Sequence, residues 1–87
     1  MNYEIKPDLE KILKKLKKKD PETYNAITNK IGEIANSFDI NHYKNLRYDL
    51  KNLKRVHIRK SFVLVFEYDQ SQDKIIFMDY DHHDKIY

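Results

Sequence analysis

Cysteine is absent from this chain of 87 residues, which excludes a disulfide framework and a thiolate zinc site and fits a reducing compartment. Any metal would have to be held by histidine and carboxylate. Glycine occurs once and proline twice, and there is no low-complexity stretch or internal repeat, so no segment reads as a linker. Nothing approaches the roughly 20 apolar residues of a membrane span, and the N-terminal residues Met1 to Ile5 lack the apolar run of a signal peptide. These absences predict a soluble, cytoplasmic protein with no membrane contact. A chain this short buries only about two-thirds of its unfolded surface, so residues 1–87 are expected to form a single domain.

Charge is plentiful and uneven. Seventeen Lys and Arg against 14 Asp and Glu give a net charge of +3, yet six lysines fall between Lys11 and Lys19, while acids gather after Glu67. A basic balance suits nucleic acid or an acidic protein partner, although lysine richness also accompanies thermophilic proteins.

The N-terminal half has helical spacing. Asn2 to Lys6 alternates briefly and is stopped by Pro7, which predicts a short edge strand leading into a helix. From Asp8 to Lys19, Leu9, Ile12, Leu13 and Leu16 form one apolar stripe with lysines around the rest. Asp20 is a good N-cap with Pro21 at the first helical position, after which Tyr24, Ile27, Ile31, Ile34 and Phe38 keep helical spacing. Two antiparallel helices joined by a tight turn follow from this.

After a polar connection from Asp39 to Asn52 the period becomes two. Lys54 to Arg59, Phe62 to Tyr68 and Lys74 to Tyr80 read as strands, and the links between them are short enough for hairpins. The expected fold is α+β in the order β-α-α-β-β-β: an antiparallel C-terminal meander, an N-terminal edge strand and the helix hairpin packed on one face. The middle strands are apolar on both sides, so the face without helices is expected to be partly covered by loops or a partner.

Within the first of these strands, Arg55-Val56-His57-Ile58-Arg59 alternates cationic or titratable side chains with β-branched ones. Val56 and Ile58 are expected to face the core while Arg55, His57 and Arg59 project together. No acid interrupts the run between Lys51 and Glu67, which favours an anionic partner over a merely basic edge.

The tail Asp81-His82-His83-Asp84-Lys85-Ile86-Tyr87 follows the last strand directly, so its side chains are candidates to lie near His57. A solvated, frayed terminus is the plain alternative. The ligand types also suit zinc, but adjacent residues on an extended chain point apart and no ligand spacing is present, so no metal or cofactor is expected. Histidine, with an ordinary pKa of about 6.5, can both give and take protons near neutrality. Together these groups suit metal-free RNA cleavage, in which a ribose 2′-hydroxyl attacks its own 3′-phosphate. The candidates are His57, His83, Arg55, Arg59 and Tyr87, with arginine favoured because its planar fork grips two phosphate oxygens.

On these residues the chain resembles the RelE/ParE superfamily of toxins from type II toxin–antitoxin pairs. The resemblance spans nearly the whole length: the helix hairpin, Lys44-Asn45-Leu46-Arg47, the Arg-Val-His-Ile strand, the apolar strand Phe62-Val63-Leu64-Val65-Phe66, and an end of the form His-x-x-Ile-Tyr. His57 before Ile58, and His83 four residues before a terminal aromatic, are similar to the YafQ branch, whose histidines at those places serve cleavage. On the RelE branch, basic strand residues and a C-terminal tyrosine do comparable work, which would fall on Arg55, His57 and Tyr87. Two departures stand out: Val63 occupies the place of a RelE-like arginine, and Lys60 and Ser61 stand where a YafQ-like aspartate is expected.

The resemblance implies a ribosome-dependent, metal-independent endonuclease that cuts translated mRNA in the A site. His57 and His83 would move protons, Arg55 and Arg59 would clamp phosphate, and Tyr87 would stack on a base or orient the 2′-hydroxyl. Arg47, Lys51, Lys54, Lys60 and His82 would hold RNA. A cognate RelB-like antitoxin, acidic and helical, would keep the toxin inactive in a hetero-oligomer, with the lysines of the first helix and the open apolar strand as its contacts. Two other readings stay open: a ParE-like inhibitor of DNA gyrase that performs no chemistry, and a toxin remnant that binds its antitoxin without cleaving.

Overall fold

Each of the two long helices begins at a proline, whose missing N–H costs nothing in the first turn. In the computed structural model, which describes residues 2–37, 39–44 and 52–86, α1 runs Pro7–Lys19 and α2 runs Pro21–Ala35. Asp8 and Glu10 in the first turn of α1 and Lys17, Lys18 and Lys19 in its last oppose the helix dipole at both ends. Asp20 separates the helices and caps the second, its carboxylate accepting from the Thr23 N–H at 3.2 Å and the Thr23 hydroxyl at 2.6 Å. The stripes Leu9–Leu13 and Ile27–Ile31–Ile34 are buried, as their spacing predicts. Phe38 lies outside the described residues.

Four strands make one sheet in the order β1-β4-β3-β2: β1 Asn2–Ile5, β2 Leu53–Ile58, β3 Phe62–Asp69 and β4 Lys74–His82. The last three form the expected antiparallel meander, and β1 adds to the edge of β4 in parallel. Helix α1 packs on β4 and α2 on β2. Before the meander, a 3-10 turn at Ile40–His42 buries Ile40 and carries Tyr43, whose ring meets Phe66 edge-on at 5.6 Å.

One irregularity decides what β4 presents. Val65 pairs with Asp79 but Phe66 pairs with Phe77, leaving Met78 as the extra residue of a β-bulge. Side chains alternate strictly along a strand, so without the bulge Ile75, Phe77, Asp79 and Asp81 would share a face. With it, Ile75, Phe77 and Tyr80 all join the helix-side core and the two aspartates are turned away. The core is completed by Ile58, Leu64 and Phe66.

The strand limits differ from expectation by a residue or two, and two of the differences bear on the site. Arg59 is not in β2, and β4 continues to His82, after which a single helical turn, α3, covers His83–Ile86. Four residues carry too little periodicity to reveal a helix beforehand. Among the described residues no helix is long and apolar enough to cross a membrane.

Candidate functional site

Pairing register fixes which side chains share a face. Lys54, Val56 and Ile58 of β2 point toward the helices, so Arg55 and His57 point away from them. Across the sheet the rungs read Arg55–Val65–Asp79 and His57–Val63–Asp81. This face therefore has a basic edge, an apolar centre and an acidic edge, spanning about 10 Å from β2 to β4 at the usual strand spacing. Val63 and Val65 are buried although they face away from α1 and α2, whereas His57 is exposed. The Arg55 N–H donates to the Lys44 carbonyl at 3.0 Å, which steadies the outer edge of β2.

Asp79 and Asp81 were not among the expected site residues. Each accepts a bond from the next N–H, Tyr80 at 2.8 Å and His82 at 2.7 Å. The Asp-Tyr-Asp alternation was visible, but its facing depended on the bulge.

Two expected site residues stand elsewhere. Arg59 adopts a φ of 63°, which reverses the chain and ends the alternation at Ile58. Its guanidinium crosses to the helix side, donating to the Thr23 hydroxyl at 2.8 Å and pairing with Glu22 at 3.2 Å. The expectation that it projects beside Arg55 and His57 is thus corrected: Arg59 ties the β2–β3 turn to the start of α2. Lys54 is only 5% exposed and lies on the core face opposite Phe66, so its expected place on an RNA-holding surface is also corrected.

The Arg59 tether reaches Asp20 through Thr23. Hydrogen bonds from the Thr23 hydroxyl and then its N–H hold the Asp20 carboxyl below its usual pKa of 3.8, with Arg59 pulling the same way. Beside this network a groove of about 600 Å³ opens between the helix turn and the sheet, floored by Leu16, Phe62 and Tyr80 and edged by Arg59 and Lys60. Phe62 is 38% exposed and its ring stacks on Tyr80 at 5.2 Å. Burial raises the Tyr80 phenol above its usual value, Asp20 adds to the rise, and Arg59 opposes it.

The chain end gathers a third group. His82 pairs with Phe62, ring edge to face at 5.5 Å, and so lies on the helix side, opposite in facing to His57. The His83 N–H donates to the Ser61 carbonyl at 2.8 Å, fixing the start of α3 beside the β2–β3 turn. The helical turn that begins there brings the two imidazoles into a stack, 4.7 Å between centres and 25° between planes. Both Nδ1 atoms reach the Asp84 carboxylate. The structure therefore joins His82, His83 and Asp84, and separately sets Arg55 beside His57 at the same end of the sheet. Arg47, Lys51 and Tyr87 lie outside the described residues.

A two-helix hairpin over one face of a four-stranded sheet, with a basic strand at the far edge, is the architecture expected of RelE/ParE-type toxins. Relatives agree. A protein of Methanocaldococcus jannaschii named "Putative toxin RelE4" is 54% identical over 84 residues, covering 97% of this chain and 87% of its own length. An uncharacterized protein of Methanosarcina mazei is 43% identical over 83 residues, covering 95% and 94%. No family model and no solved structure matches the chain. The chain belongs to the RelE toxin family, and so is a toxin of a toxin–antitoxin system.

Proposed function

We propose that this toxin is a ribosome-dependent, metal-independent endoribonuclease that cuts translated mRNA in the A site and so stops translation in the cytoplasm. The observation that carries the reading is the pairing of Arg55 with exposed His57 on the helix-free face of β2, at the end of the sheet where His83 is anchored to Ser61. His83 opens α3 beside the β2–β3 turn and His57 lies just before that turn on β2, so a phosphate held at this end of the sheet would be within the approach of both histidines. One imidazole takes the proton of the ribose 2′-hydroxyl while its oxygen forms a bond to phosphorus. The other gives a proton to the departing 5′-oxygen as the P–O5′ bond breaks, leaving a 2′,3′-cyclic phosphate and a 5′-hydroxyl. Arg55 neutralises the charge on the phosphorane through two donors to its oxygens. Lys60 and His82 line the approach for RNA, and Tyr87 stacks on a base.

Antitoxin control fits the helix side of the molecule. Lys11, Lys14, Lys15, Lys17, Lys18 and Lys19 are all exposed on α1, a cationic face for an acidic, helical partner in a hetero-oligomer. The test is primer-extension mapping of a reporter mRNA in a translating extract. New ends that depend on translation and vanish with His83→Ala support the reading. Uncut message beside a control toxin that cuts would overturn it and direct attention to gyrase supercoiling or to antitoxin binding alone.

A further inference from the structure

His82, His83 and Asp84 meet where sequence spacing alone would keep them apart. One donor atom from each lies within 4.8 Å of the others. His82 Nδ1 accepts the Asp84 N–H at 3.2 Å, so a lone pair and not a proton faces Asp84. Yet the same Nδ1 stands 3.5 Å from the anionic Asp84 Oδ2. These two contacts cannot both be hydrogen bonds, since a nitrogen that accepts has no proton left for the carboxylate. The 3.5 Å approach is therefore a contact only, and an ion bound at Nδ1 takes the lone pair from the Asp84 N–H. On the other side His83 Nδ1 is 3.1 Å from Asp84 Oδ1.

The 3.5 Å separation runs to Asp84 Oδ2 and the 3.1 Å one to Oδ1, so an ion that takes the carboxylate through both oxygens meets nitrogen–oxygen edges near the roughly 3.3 Å expected for bonds of about 2.0–2.1 Å. Two neutral imidazoles and one carboxylate make a donor set of net charge −1, suited to a divalent ion of intermediate softness. The imidazoles are partly exposed, at 36% and 40% of their side chains, so an ion can enter from solvent without the core opening.

We propose that His82, His83 and Asp84 form a binding site for a divalent ion of the zinc class, with solvent water in the remaining position. The ion takes the lone pair of His83 and removes that imidazole from proton transfer. This second consequence, and only this one, rests on the nuclease reading above: the bound metal is an inhibitor of the toxin, not a cofactor.

The experiment is calorimetric titration of the purified protein with Zn²⁺, beside His82→Ala, His83→Gln and Asp84→Asn, each checked for native circular dichroism. Wild type is expected to bind one ion with a dissociation constant on the order of 10 μM, for three ligands with little outer support. Each variant should bind about tenfold or more weakly, and acidification should release the ion as protons claim the ring nitrogens. Absence of binding near 1 mM, or variants that bind as tightly as wild type, would overturn the site. Zn²⁺ added to the mRNA assay should then suppress cleavage, with recovery on chelation. Zinc binding with uninhibited cleavage overturns the inhibitory consequence alone, whereas zinc binding with no cleavage under any condition removes the nuclease reading and leaves the site intact.

Discussion

The two faces of the sheet are both apolar at their centres, yet they are kept dry in different ways. On the helix side Leu64, Phe66, Ile75, Phe77 and Tyr80 interlock with the stripes of α1 and α2. On the other side Val63 and Val65 are equally buried but lie between Arg55 and His57 on one strand and Asp79 and Asp81 on the next. The first face holds the fold through packed volume, the second keeps a polar frame around a small apolar floor. Stability and chemistry are thereby assigned to opposite sides of a single layer, so substitutions on each should have separable effects.

The largest effect is expected from Phe77→Ala, which empties a fully buried ring site touching Phe66 and Tyr3. A loss of about 3–5 kcal/mol is expected, a large share of the stability of so small a protein, and urea unfolding measures it. His57→Ala on the open face should do the reverse. Cleavage of translated mRNA should fall on the order of 10²-fold or more while the urea midpoint stays close to wild type. A His57 variant that unfolds as readily as the Phe77 variant would break the division of labour between the faces.

Arg59→Gly sharpens the comparison, because Arg59 belongs by sequence to the basic strand and by structure to the helix side. Glycine relieves about 1–2 kcal/mol of left-handed backbone cost, which offsets the loss of the exposed ion pair to Glu22 and of the Thr23 hydrogen bond, each worth up to about 1 kcal/mol. Stability should therefore change little, and cleavage should remain within a few-fold of wild type. A collapse of cleavage in a folded Arg59→Gly protein would return this residue to the phosphate clamp.

The smallest effect concerns pH. The folded Asp20 carboxyl titrates below 3.8 because its charged form is bonded by Thr23. A depressed carboxylate contributes stability that is complete above the unfolded value and lost as pH falls through the folded one. Thermal unfolding of wild type and Asp20→Asn should thus differ by a constant amount at neutral pH, and the difference should shrink below about pH 4. A gap unchanged down to pH 2 would place the capping energy in geometry alone.

Much of the scaffold was legible because it rests on local rules. Pro7 and Pro21 mark both helix starts, Asp20 caps, and the spacing Leu9–Leu13 and Ile27–Ile31–Ile34 names the buried stripes. The alternation around Val56 and Ile58 correctly turned Arg55 and His57 to the free face. The site was less legible where one residue changes the parity of a strand or ends it. Arg59 continued the pattern on paper, but a positive φ, rare outside glycine, ended the strand one residue early.

Sequence alone determined the order of elements, the apolar faces and the family, since helical and strand periods, caps and a long match to relatives are properties of residues taken in line. Only tertiary structure decided the rest. The bulge at Met78, set by β4 pairing with β3, turned Asp79 and Asp81 to the open face and Tyr80 into the core. The helical turn after β4, held by the His83 bond to Ser61, brought two neighbouring imidazoles onto one carboxylate. Both outcomes depend on hydrogen bonds to distant residues, and a linear pattern carries no record of which partner those bonds will find.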